Sequence, residues 1–208
     1  MSANYTLLLK IEGPMQSWGY RSRFDYRDTA LEPTRSGIIG LICAAMGIAR
    51  GEDISRFDAL RMGVRVDTPG RPERDYHTAL DVVKADGSGT DNVQSWRDYL
   101  ADASFTVGLQ SEDRELLSGV SHALQSPAWP LFLGRKSFPV SVPPIAPSQA
   151  LLPGSLEDHL LSGEPGKRVV LETSNGERVQ NDWPVCFGER RFRPRSIQTH
   201  FSGEGAAE

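Results

Sequence analysis

The residues of this 208-residue chain with a type and spacing suited to chemistry are arginines and aromatics set among glycines. Arg35 and Ser36 follow Thr34, a plausible helix N-cap, and precede Gly37 and Gly40. A helix start presents free backbone N–H groups and the positive end of its dipole, and the Arg35 fork would add a bidentate grip on phosphate. An exposed arginine beside a cap is the plain alternative. Gly37 and Gly40 each cost about 1 kcal/mol against alanine inside a helix, which points to a close approach by RNA or by the sheet. Trp18, close to Gln16 in a glycine-flanked loop, could stack an unpaired base or anchor the core. Arg97 stands beside Trp96, and Arg135-Lys136 after Gly134 forms a small basic turn. Both suit phosphate contact or a solvated surface. Tyr76-His77 carries the one pair suited to acid–base work, since histidine titrates near neutrality, with contact or packing as the plainer reading.

Signatures of bond-making chemistry are lacking. There is no Walker loop and no Gly-x-Ser-x-Gly elbow, and Gly87-Ser88-Gly89 lacks the third glycine of a dinucleotide site. His77, His122, His159 and His200 have no metal-ligand spacing, and Cys43 and Cys186 do not complete one. Neither a metal nor a cofactor is expected.

The formal charge of −4 argues weakly against a polyanion partner, but binding depends on where cations cluster. Arg21, Arg23, Arg27 and Arg35 lie within one stretch, and Arg190, Arg191, Arg193 and Arg195 within six residues. No apolar run is long enough to span a bilayer, and the N-terminus lacks a signal-peptide pattern. With only two distant cysteines, a reduced cytoplasmic protein is expected.

The elements that must position these residues follow from periodicity. Tyr5, Leu7, Leu9 and Ile11 alternate as a first strand ended by Gly13-Pro14. Ile38, Leu41, Ile42, Ala45 and Met46 recur at helical spacing behind Thr34. Met62, Val64 and Val66 predict a second strand; Phe105, Val107 and Leu109 predict a third. A second helix carries Leu116, Leu117, Val120, Ala123 and Leu124, capped by Ser111, and Leu131 to Val140 supplies a fourth strand. That order is the ferredoxin-like (RRM-like) α+β pattern. An insertion at about 68–101, with a short helix around Val93, Trp96 and Leu100, separates the second and third strands and is a suspect arm. The expected organisation is a first domain over 1–140, a proline-stiffened connection, a small β-rich lobe over 141–201 containing strands near Arg168–Glu172 and Arg178–Val185, and a disordered tail over 202–208.

Five segments together resemble one family. They are Gly13-Pro14-Met15-Gln16-Ser17-Trp18-Gly19, Pro33-Thr34-Arg35-Ser36-Gly37-Ile38-Ile39-Gly40-Leu41, Arg74-Asp75-Tyr76-His77-Thr78, Gln94-Ser95-Trp96-Arg97-Asp98-Tyr99-Leu100 with the strand from Asp102 to Val107, and Phe132-Leu133-Gly134-Arg135-Lys136-Ser137. In this order over residues 5–140 they are similar to the CasD family of type I-E CRISPR surveillance complexes, with Phe132 in place of a tyrosine. The resemblance implies a ferredoxin-like domain with a β-hairpin thumb, and a non-catalytic role in antiviral defence: gripping the 5′ handle of the guide RNA. It also implies contact of the thumb with the backbone subunit CasC, and of another face with the large subunit CasA. Carried over by motif, Arg97 is the first handle contact; Arg35, Ser36, Gln16, Trp18, Arg135 and Lys136 complete the cradle, and Tyr76 and His77 lie at the thumb base. Two alternatives stand beside this. One is a metal-independent endoribonuclease using Tyr76 and His77; the other is a protein scaffold without RNA contact.

Overall fold

The computed structural model describes residues 4–19, 25–146 and 149–203. Arg21 and Arg23 of the basic stretch, and 204–208 of the expected tail, lie outside the described residues. Strand β1 (Tyr5–Gln16) buries Leu7, Leu9 and Ile11 on one face, as their alternation requires. It runs on through Gly13-Pro14, where a stop was expected. A proline is tolerated there because no strand pairs with the outer edge of β1 at that level: β6 (Leu152–Pro153) pairs only with Tyr5 and Thr6, and the loop beside that edge bonds Lys10, Glu12 and Ser17 instead.

Helix α1 (Arg35–Met46) starts where Thr34 Oγ1 accepts the Gly37 N–H, and ends at Gly47 in the left-handed conformation, φ 71°. It is apolar almost all round and therefore buried. Helix α2 (Arg114–Gln125) is capped by Asp113, which accepts the Leu116 N–H. Ser111, the expected cap, instead accepts the N–H of Asp113 one step earlier. The amphipathic stripe of α2 closes the core with Leu117, Val120 and Leu124.

The architecture is mixed α/β around one large sheet. Strand β5 (Thr90–Ser111) lies between β1 and β3 (Arg61–Thr68), antiparallel to both; Leu9, Val107 and Val64 stand in register. Both helices pack on that apolar face. The strands expected near Arg168–Glu172 and Arg178–Val185 are β7 (Arg168–Thr173) and β8 (Arg178–Cys186), and with β9 (Arg191–Phe201) they continue this same sheet, β7 pairing with β3 and β9 lying between β7 and β8. Leu131–Val140 forms no strand but a loop with a single bridge, Phe132 to Pro139. Its alternation is interrupted by Gly134-Arg135-Lys136-Ser137, while Leu131, Leu133 and Phe138 still plug the core. The place beside β1 falls to the two residues of β6.

The opposite face of the sheet is covered at one end. Helix α3 (Leu156–Leu160) lays Leu156 and Leu160 over Gly63 and Gly108. A Cβ at either glycine would come within 2.6 Å of a leucine methyl, so bare backbone lets α3 lie flat. Beyond α3, Asp67 accepts from Thr106, Arg65 and Lys10, and Ser104 donates to Glu12.

The insertion is a long two-stranded hairpin. Strand β4 (Arg71–Val83) pairs antiparallel with the first half of β5, from Arg71 opposite Ala101 to Val83 opposite Thr90. The helix expected around Val93, Trp96 and Leu100 is absent because these residues belong to β5. Their 3–4 spacing imitates a helix, but cross-strand pairing decides: the rings of Tyr76 and Trp96 meet at 5.7 Å. At the other end of the chain, Ser202 is buried and bonded to Lys167 and Glu164, so the described residues stay ordered past 201, where a free tail was expected.

Candidate nucleic-acid interface

The Arg35 side chain does not face solvent as expected. It is 1% exposed, donating to Glu172 Oε2 at 3.0 Å and to the Phe57 carbonyl at 2.9 Å, and its guanidinium lies 3.6 Å from the centre of the Trp183 ring. The helix start is also taken: Asp182 Oδ2 accepts the Arg35 backbone N–H at 2.8 Å, and Arg195 holds Asp182 through Nε at 2.6 Å and Nη2 at 3.0 Å. Burial pulls the Arg35 pKa down and pushes the Glu172 carboxyl up, each against the attraction of its partner. Two guanidinium groups and two carboxylates thus neutralise each other where a phosphate site was expected. Two further C-terminal arginines are engaged: Arg193 pairs with Asp58 and stacks on Trp183, and Arg191 pairs with Glu189.

Gln16 and Trp18 are also interior. Gln16 donates to the Ala103 carbonyl at 2.7 Å and accepts from Trp18 Nε1 at 3.2 Å. The Trp18 ring lies where a Cβ on Gly37 would meet it at 2.7 Å, so the close approach that Gly37 permits is that of this tryptophan. Trp18 is a core anchor and is not available for stacking.

What reaches solvent gathers at the root of the hairpin. Strand β2 (Tyr26–Arg27), only two residues long, pairs parallel with β5 and sets Tyr26 opposite Trp96 and Arg27 opposite Arg97. Arg97 is half-buried, its Nε donating to Ser95 Oγ at 2.9 Å. Arg135 reaches in from the 131–140 loop and donates to the Asp98 carbonyl at 2.7 Å. Desolvation, then repulsion from Arg97 and Arg27, lowers its pKa. These three guanidinium groups repel one another, while Asp75, in register opposite Arg97, and Asp98 offset part of their charge; together the three make this surface the candidate for binding an anion. A cleft of about 280 Å³ adjoins it, and its lining includes Arg27, Arg135, Ser17, Ser36 and Gly37 together with one carboxylate, Asp28. A larger, mostly apolar groove along α1 shares Ser36 and Gly37 with that cleft and adds exposed Lys136 at its rim. The structure therefore brings Arg97, Arg135, Lys136 and Ser36 to one surface, and adds Arg27.

Tyr76 and His77 are both exposed but are consecutive on β4, so their side chains leave opposite faces of the ribbon. Among the described residues no group of His, Cys, Asp and Glu could hold a metal, and no helix is long and apolar enough to cross a membrane.

The class of protein follows from comparison with known families: residues 6–201 match the model of the CRISPR-associated protein family Cas5, and the chain belongs to that family. More particularly, it is 37% identical to the CRISPR system Cascade subunit CasD of Escherichia coli (strain K12), over 91% of this chain and 92% of that relative. Two solved structures share the fold. One, titled a CRISPR RNA-guided surveillance complex, gives a TM-score of 0.79 at 32% identity, covering 95% of this chain and 90% of that one. The other, titled a crystal structure of a Cas protein, gives 0.76 at 39%, covering 95% and 94%.

Proposed function

We propose that this chain is the subunit of a type I-E CRISPR surveillance complex (Cascade) that binds the 5′ handle of the guide RNA in the cytoplasm, without catalysing a reaction. The observation that carries this reading is the Arg27–Arg97–Arg135 cluster opening onto the Ser36 cleft. Single-stranded RNA is held by phosphate contacts while its bases are splayed into adjoining pockets, and this surface offers cations beside a groove. Arg97, Arg27, Arg135 and Lys136 would take phosphates, and Ser36 would offer a hydroxyl. Arg35, Gln16 and Trp18 would shape the cradle from beneath without touching RNA.

In this reading the core is a ferredoxin-like domain, with β6 as a shortened fourth strand, and the C-terminal strands extend it as a small lobe. The β4–β5 hairpin is the thumb. Leu80 and Val83 near its tip, 68% and 71% exposed, give it an apolar surface suited to the neighbouring backbone subunit CasC, while the large subunit CasA meets another face. The ordinary RRM platform is ill suited to RNA, because α3 covers it at Gly63 and Gly108 and the part beyond α3 carries the carboxylates of Glu12 and Asp67. The opposite orientations of Tyr76 and His77 speak against an acid–base pair in a nuclease.

The test is to incubate the purified chain with labelled repeat RNA in chelator. The reading expects a retained, uncut RNA that competes with handle-bearing guide. Cleavage abolished by His77→Ala would instead establish the nuclease, and no RNA binding at all would leave a scaffold.

A further inference from the structure

Four segments distant in the chain converge on one residue, Asp98. On one side of the hairpin its carboxylate accepts the Tyr26 hydroxyl at 2.5 Å and Arg74 Nε at 2.6 Å, and Arg74 Nη2 also donates to the Tyr26 oxygen at 2.6 Å. Its backbone carbonyl accepts Arg135 Nη2 at 2.7 Å and Ser17 Oγ at 3.3 Å. The Arg74 hydrogen bond, joined by that of Tyr26, holds the Asp98 carboxyl below the usual range, and the hydrogen bond to Asp98 raises the Tyr26 phenol pKa against the opposing pull of Arg74.

Alternation along a strand gives this convergence its meaning. Tyr26 and Arg27 are consecutive, so pinning Tyr26 to the Asp98 face directs Arg27 to the opposite face, where it stands in register with Arg97. Asp98 and Arg97 are likewise consecutive, so the carboxylate is turned away from Arg97 and engages Arg74 instead. β2 has only two residues with which to hold this register, and the clamp supplements them.

Resting on the RNA reading above, we propose that Asp98 is a positioning residue for guide RNA: through Tyr26 its side chain aligns Arg27 with Arg97, beside Arg135, which the main-chain carbonyl of the same residue holds whatever the side chain.

The sign of the effect separates this role from simple electrostatics. Deleting an acidic residue near three arginines should strengthen RNA binding if charge alone matters. Positioning demands the reverse. The experiment titrates the full chain against a labelled single-stranded RNA carrying the repeat-derived handle, over a range of salt, for wild type, Arg97→Ala, Asp98→Ala and Tyr26→Phe. Asp98→Ala is expected to weaken binding about tenfold and to flatten the salt dependence by about one phosphate contact, although no cation has been removed. Tyr26→Phe, which keeps the ring and guards against a folding defect in Asp98→Ala, should weaken it by about threefold. That loss should vanish in an Arg27→Ala background. Should Arg97→Ala weaken binding while Asp98→Ala and Tyr26→Phe leave it unchanged or tighten it, or should the Tyr26→Phe loss persist without Arg27, the positioning role is overturned and the RNA reading stands. No RNA binding by wild type, or none lost in Arg97→Ala, overturns both.

Discussion

Asp182 and Arg35 meet at the start of α1, where the Asp182 carboxylate accepts the Arg35 backbone N–H at 2.8 Å. A helix start that looks built for phosphate is thereby occupied from within, and the same carboxylate ties α1 to β8 and, through Arg195, to β9.

Removing Arg35 or Asp182 strips the close partner from a buried charge, leaving Glu172 and Arg195 only the 3.7 Å ion pair between them. Arg35→Ala and Asp182→Ala should each lower stability by about 3–5 kcal/mol in urea unfolding, the usual cost of stranding a buried charge. RNA lost by Arg35→Ala should therefore follow the unfolded fraction, with the folded molecules binding normally.

Gly37 and Trp18 form a second structural pair. Gly37→Ala would place a methyl within 2.7 Å of the Trp18 ring and should cost about 1–3 kcal/mol through overpacking. Trp18→Ala should cost about 3–5 kcal/mol, read from the same melts.

The buried Cys43 thiol sets an alkaline limit. Desolvation raises its pKa from 9.0 to about 11. Between these values the unfolded chain releases the thiol proton while the folded chain keeps it, so the folded state binds more protons and stability falls as pH rises through the window. Stability measured from pH 8 to 11 should decline less steeply in Cys43→Ala than in wild type; parallel profiles would contradict this.

The salt dependence of RNA binding should count the cluster. If Arg27, Arg97 and Arg135 each neutralise one phosphate, they contribute about −2 to the slope of log affinity against log salt for a single strand. Each alanine variant should reduce the slope by about 0.7, whatever the sequence of the probe.

Periodicity made β1, α1, β3 and α2 legible, because each buries one face and its apolar residues repeat accordingly. Thr34 was readable as a cap because a cap acts over three residues. The misread parts depend on distant partners. Nothing around Arg35 announces a carboxylate 147 positions away, and Val93, Trp96 and Leu100 carry helical spacing until β4 is known to lie beside them. Leu131–Val140 holds apolar residues at strand spacing that serve as plugs in a loop. Of the candidate site, Arg97, Arg135, Lys136 and Ser36 could be picked from sequence. Arg27 stood out only as one of several loop arginines, since a two-residue parallel pairing leaves no periodic trace.

The most direct test is guide retention in a co-expressed complex carrying Arg97→Ala, with assembly and melting temperature checked alongside. The complex is expected to assemble with a folded subunit but to hold markedly less guide RNA. Unchanged guide content in that complex would contradict guide binding by this cluster.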